Sequence, residues 1–287
     1  MPAYSGIAVG NAPVSYGAFE ITVGVDPNVP DPVTLLDSVA QAGYVGIDLG
    51  PIGYLGTGDE LAARLSDRGL ALTGGYIELP LADRQQLDPA LAELDVLLGV
   101  LAVASLSGPA AKPTLAAAAS DAGWRAFADG LARAVERCRE RGLEPTFHHH
   151  AGTYVQTPQE IERLLECSDV GLCLDTGHLL VGGGEPLAAV RAWAERINHV
   201  HLKDARRATI EQIAAEAAPV QEIWRRGAFC ALGEGDIEIP AVLDALGQIG
   251  YAGWLVVEQD ILPDSAEPGR PAIDQRRNRE YLRTLGL

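Results

Sequence analysis

At 287 residues, with 47% apolar and 21% charged side chains, the chain has the composition of a globular protein with a large core and is unlike a disordered one. Its formal charge of −17 excludes the basic stripe that a nucleic acid or an anionic membrane would need, so neither is expected as a partner. The length exceeds that of most single cores but suits an α/β barrel, and one domain over residues 1–287 is the expectation.

The first basic residue is Arg64, which leaves no charged n-region of a secretory signal and no Arg-rich transit peptide. The longest apolar stretch, Val96 to Leu106, is too short to span a bilayer. Cys138, Cys167, Cys173 and Cys230 lack CxxC spacing and read as reduced, buried thiols. A cytoplasmic protein follows as the expectation.

Taken in chain order, eight short apolar runs read as strands buried on both faces. They are Ile7–Val9, Val45–Leu49, Leu70–Tyr76, Val100–Ala104, Pro145–His148, Val170–Leu174, Ile197–Leu202 and Trp254–Val257. Between them apolar residues return every three or four positions, as in Val33-Leu35-Leu36-Val39 and Phe127-Leu131-Ala134-Val135, the spacing of helices. Strands joined by crossover helices form a parallel sheet, and eight such units in under 300 residues predict a closed (β/α)8 barrel. Thr157-Pro158-Gln159-Glu160 carries the signature of a helix start, and Ala110–Ala119 reads as a loop entering a helix. One long connection, about residues 204–236, holds a predicted extra helix over Ile210–Trp224 and a Gly233-Glu-Gly235-Asp turn, and connections of this length are commonly functional.

All six histidines lie between positions 148 and 201. Such crowding of a residue that ligates metals and titrates near neutrality points to one site. In a parallel barrel the C-terminal ends of the strands face one mouth, and His148, Asp175, His201 and Glu258 end the fifth to eighth strands. Two imidazoles and two carboxylates suit one divalent ion, with Mn²⁺ or Co²⁺ ahead of Zn²⁺ or Mg²⁺. Alternation along the strand puts His148 and His150 on one face and turns His149 away. Asp175 reads either as a helix cap or as a ligand. Lys203 is one of only two lysines, beside Lys112, and reads either as an ion-pair partner of Asp204 or as a substrate contact.

The strings Gly10-Asn-Ala-Pro-Val-Ser-Tyr16-Gly, His148-His-His150-Ala-Gly-Thr-Tyr-Val-Gln-Thr157, Leu174-Asp-Thr-Gly-His178, His199-Val-His-Leu-Lys-Asp204 and Val257-Glu-Gln-Asp260 carry a resemblance from the first strand to the last. Together they resemble the inosose dehydratase group of the xylose-isomerase-like sugar isomerase and epimerase superfamily. The resemblance implies a barrel that binds one divalent metal through Asp175, His201 and Glu258 and acts on a small keto-cyclitol or keto-sugar. It places His178, Lys203 and Asp204 on the substrate side. His148 stands where the isomerases and epimerases carry a fourth-ligand Glu, and His150 is the other candidate for that role. Tyr16 and Asp48, taken as substrate contacts, stand where relatives often carry Trp and Glu.

The implied reaction is loss of water from a β-hydroxy ketone such as 2-keto-myo-inositol. Glu258 is the candidate base and His148, His150 or His178 the acid, since imidazole transfers protons in either direction near neutrality. The alternatives are ketose 3-epimerisation or aldose-ketose isomerisation, and a barrel that binds a polyol without turning it over. Self-association is left open.

Overall fold

The computed structural model describes residues 4–103 and 108–287. Strands β1 (Ile7–Asn11), β2 (Gly46–Ile47), β3 (Ala71–Leu72), β4 (Gly74–Leu79), β5 (Lys112–Ala117), β6 (Thr146–His148), β7 (Gly171–Asp175), β8 (Ile197–Leu202) and β11 (Gly253–Val257) form one sheet. Its order is β3-β2-β1-β11-β8-β7-β6-β5-β4, and every pairing is parallel. The ends of this sheet, β3 and β4, are two halves of one strand divided at Thr73. Its N–H donates to Ile47 O at 3.0 Å and its carbonyl accepts from Lys112 N at 3.1 Å. The divided strand therefore pairs with β2 through one half and β5 through the other, which closes an eight-stranded barrel.

Helices cover the outside. They include α1 (Pro32–Ala42), α2 (Gly58–Ser66), α3 (Arg84–Val103), α4 (Trp124–Glu140), α5 (Pro158–Cys167), α6 (Thr176–Val181), α7 (Pro186–Ala192), α10 (Ile239–Gln248) and α11 (Arg270–Thr284). Helix α4 shows why these segments are helical and how they dock. Phe127, Leu131, Ala134, Val135 and Cys138 fall on one stripe, all buried, while Arg137 and Arg139 close its last turn. Burying each large apolar side chain contributes about 2 kcal/mol. Helix α5 starts on the capping box expected at Thr157: Glu160 N donates to Thr157 Oγ1 at 3.3 Å, and Thr157 N donates to Glu160 Oε2 at 2.8 Å. No helix among the described residues is long and apolar enough to cross a membrane.

Two elements differ from the sequence expectation. The fourth strand is β5, in the Ala-rich segment expected as a loop entering a helix, whereas Val100–Val103 ends α3 and Ala104 lies outside the described residues. Leu87, Leu91, Leu94, Leu98 and Leu101 recur at spacings of four and three and are all buried, so the run at Val100 is the tail of a helical stripe. In β5 the alanines Ala116 and Ala117 are buried between neighbouring strands, where lack of bulk outweighs helix propensity. The second difference lies in the long connection. The helix expected over Ile210–Trp224 is two short helices, α8 (Arg207–Ala215) and α9 (Glu222–Arg225). The chain breaks at Ala217, with φ of 47°, and at Pro219, which supplies no N–H to a continuing helix.

The two short helices sit inside a small antiparallel ladder, β9 (Asp204–Ala205) with β10 (Phe229–Cys230). Asp204 ties down its base. Oδ1 accepts from Ala205 N at 2.9 Å and Ile237 N at 3.2 Å, and Oδ2 accepts from Gly233 N and Gly235 N, both at 2.9 Å. A Cβ on Gly235 would meet Asp204 Oδ1 at 2.2 Å, which explains the glycine in that turn. Asp204 thus anchors a loop rather than facing a substrate or pairing with Lys203.

Candidate metal centre

At the C-terminal mouth of the barrel, β6, β7, β8 and β11 bring His148, Asp175, His201 and Glu258 together, all buried. The ligand atoms of Asp175, His201 and Glu258 lie within 4.8 Å of one another. His201 Nδ1 is 3.1 Å from Glu258 Oε2 and 3.7 Å from Asp175 Oδ2, and His148 Nε2 is 3.2 Å from Asp175 Oδ2. Neither ring nitrogen of His201 has a hydrogen-bond partner, and neither does His148 Nδ1. Two buried carboxylates converging on an imidazole without hydrogen bonds fit a shared cation, because bonds of about 2.0–2.2 Å to one ion require donor atoms this close.

Asp175 combines the two readings its sequence left open. Oδ1 caps α6 by accepting from His178 N at 2.8 Å, while Oδ2 faces the centre. His149, turned away from the mouth, is buried behind it, and its Nε2 accepts from Asp175 N at 3.3 Å. Lys203 Nζ sits over the same carboxylates, 2.9 Å from Asp175 Oδ2, 2.9 Å from Glu258 Oε2 and 3.0 Å from Asp260 Oδ1. Thr176 and Gly177 of the Asp-Thr-Gly-His string serve this lysine. Thr176 Oγ1 donates to Lys203 O at 2.6 Å, and a Cβ on Gly177 would meet Lys203 Cβ at 2.7 Å.

These charges set the protonation states. Burial alone would raise both carboxyls, yet Lys203 and the neighbouring histidines hold Asp175 well below the usual range, and His201 and Lys203 bring Glu258 down to about 2. Both are therefore anionic at neutral pH, as ligands must be. Burial pushes His148, His150 and His178 down, which keeps them neutral. Burial opposes charge on His201 as well, but Cys173, Glu258 and Asp175 carry it well above its ordinary value.

His150 and His178 form a second group beside the first. Their ring centroids are 3.7 Å apart. His178 Nδ1 accepts from Ala151 N at 3.4 Å, which puts the neutral ring's proton on Nε2, 3.3 Å from Asp260 Oδ2. A cavity of about 460 Å³ opens over both groups, lined by His148, His150, His201, Lys203, Glu258 and Asp260, with Phe19, Glu20, Asp48, Tyr76, Glu78 and Trp224 around them. Asp48 accepts from Gly50 N at 3.0 Å through Oδ1, its Oδ2 has no partner, and burial pushes its carboxyl up to about 6. Tyr16 is buried and lines an adjoining groove with Phe229, Gln259 and Pro263, not this cavity. Asp260 and Trp224 were not singled out from sequence. The alternation Glu258-Gln-Asp260 was the available signal for the first, and nothing local marked the second.

The chain belongs to the xylose isomerase-like TIM barrel family, whose model matches residues 36–284. It is 31% identical over 278 residues to an inosose dehydratase of Geobacillus kaustophilus (strain HTA426), covering 91% of this chain and 89% of that one. To an inosose dehydratase of Bacillus thuringiensis (strain Al Hakam) it is 39% identical over 163 residues, 56% of this chain and 54% of that one. The solved IOLI protein with a bound zinc atom has the same fold, with a TM-score of 0.72 at 15% identity over 97% of each chain.

Proposed function

We propose that this chain is a divalent-metal-dependent dehydratase of a neutral keto-cyclitol such as 2-keto-myo-inositol. The observation that carries the reading is the convergence of Asp175, His201 and Glu258 beside a cavity that His201 and Glu258 line, in a chain 31% identical over most of its length to an inosose dehydratase. These three residues, with His148 beside them, would hold the ion, Mn²⁺ or Co²⁺ by preference, which would supply positive charge for a developing enolate oxygen.

The chain's own groups supply the rest. Lys203 keeps Asp175 and Glu258 ionised and touches Asp260 at 3.0 Å. His150, neutral and in the cavity wall, is placed to take or return a proton, with the neutral ring of His178 packed behind it and His178 Nε2 3.3 Å from Asp260 Oδ2. Of the two carboxylates at the centre only Glu258 lines the cavity, which makes it the candidate to draw a proton from carbon α to the ketone. Trp224 and Phe19 give the cavity apolar wall beside its charged groups. Carboxylates of Glu20, Asp48, Glu78 and Asp260 around the mouth favour a neutral polyol over an anion. We take the whole chain as one barrel domain acting on a small molecule.

The test is a screen of metal-loaded protein against neutral keto-polyols, read by mass spectrometry for loss of one water, beside Asp175→Ala. Turnover of 2-keto-myo-inositol by the native chain alone supports the reading. No loss of water from any keto-cyclitol by protein shown to hold metal contradicts it.

A further inference from the structure

A second group of ligands lies directly beneath the first. Along β7 side chains two residues apart share a face, so Cys173 points to the barrel interior as Asp175 does, one layer deeper. Its register partners are His148 on β6 and His199 on β8. A nitrogen of His148, the sulfur of Cys173 and a nitrogen of His201 lie within 4.8 Å of one another, with all three side chains buried. Cys173 forms no disulfide, and His148 Nδ1 and both ring nitrogens of His201 have no hydrogen-bond partner.

The two sets differ in chemistry. Asp175, His201 and Glu258 offer two oxygens and a nitrogen, which suits harder ions such as Mn²⁺. His148, Cys173 and His201 offer two nitrogens and a sulfur, which suits softer ones. We propose that His148, Cys173 and His201 form a second, lower site for thiophilic dications, Zn²⁺ or Cd²⁺, that excludes the upper ion because both sites draw on His201. On binding, Cys173 loses its S–H proton and His201 one ring N–H proton, both to solvent, and a sulfur–metal and two nitrogen–metal bonds form with no change of oxidation state. An ion seated there takes His201 from the upper set, so soft metals displace the harder ion. The inference rests on the reading of the upper centre only through the shared histidine.

The experiment titrates metal-free protein with Cd²⁺ and follows the near-ultraviolet sulfur-to-metal charge-transfer band. It is done in a Cys167→Ser background, because Cys167 is an exposed thiol able to bind Cd²⁺ on its own. The band is expected to saturate with Cd²⁺ bound one to one and to vanish in both Cys173→Ser and Cys173→Ala, whose folding is checked by circular dichroism. In parallel, the Cd²⁺ concentration that releases half of the bound Mn²⁺, read by electron paramagnetic resonance, is expected to rise about tenfold or more when the sulfur is lost. Cd²⁺ binding without the band, or a band that survives both substitutions, overturns the lower site while leaving the upper one standing. A band in protein that takes up no Mn²⁺ supports the lower site and removes the upper. Uptake of neither ion removes both.

Discussion

Lys203 is the group whose removal tests the electrostatics of the mouth most sharply. Its ammonium is 1% exposed and touches three carboxylates at 2.9–3.0 Å. With an effective dielectric of about 20, each contact is worth roughly 5 kcal/mol before desolvation, and most of that is cancelled by burying the charges. Lys203→Met removes the attraction but leaves Asp175, Glu258 and Asp260 buried and mutually repelling. Breaking a buried pair in this way costs about 3–5 kcal/mol. At roughly 2 °C per kcal/mol for a chain of this size, the melting temperature in chelator should fall by about 6–10 °C. Saturating Mn²⁺ should narrow that gap, because a divalent ion on Asp175 and Glu258 restores positive charge. The assay is thermal or urea unfolding of both proteins with and without metal. A Lys203→Met protein within about 1 kcal/mol of native in chelator would show that Lys203 does not hold Asp175 and Glu258 ionised as described.

Asp48 gives a pH dependence with a defined sign. Its carboxyl is raised from 3.8 to about 6, so the stability linked to its proton is present below the unfolded value and lost as pH rises through the folded one. Asp48→Asn should therefore be more stable than native at pH 8 in chelator by up to about 3 kcal/mol, with the advantage gone near pH 4, in parallel melts. Asp204→Asn replaces an acceptor facing Gly233 N and Gly235 N with a donor. It should cost about 2–4 kcal/mol and speed proteolysis between Ala205 and Phe229. His149→Ala leaves Asp175 N without its acceptor. It should lose about 1–3 kcal/mol of stability yet keep metal that Asp175→Ala cannot hold, as elemental analysis would show.

The strands that carry the site were legible because each is a short buried apolar run that ends in a chemically distinct residue. His148, Asp175, His201 and Glu258 stand out at such ends, and one geometric fact about parallel barrels gathers them. Where bulk did not mark the strand, as in β5, or where a helical stripe supplied the apolar run, as at Val100, local pattern gave way to packing. Alternation tells which face a side chain takes but not what reaches it across space. For that reason the adjacency of Lys203 and Asp204 suggested a pair, while their real partners lie elsewhere. Those of Asp204 are, beyond its neighbour Ala205, backbone N–H groups 29–33 residues along the chain, and those of Lys203 come from β7 and the end of β11. Cys173 was hidden for the same cause: a small apolar thiol inside a strand reads as packing until the neighbouring strands place two histidines against it.

Dehydration and epimerisation begin with the same proton abstraction and part at the step that follows it. Metal-loaded protein incubated with 2-keto-myo-inositol in heavy water, with the products resolved by mass spectrometry, separates the two. Unlike groups line the cavity, a carboxylate at Glu258 and the imidazoles of His148 and His150, and they favour proton removal followed by departure of a hydroxyl. The expected product is lighter by one water, with little labelled ketone accumulating. A ketone of unchanged skeleton that carries deuterium at an inverted carbon, with no water lost, would contradict the dehydratase reading.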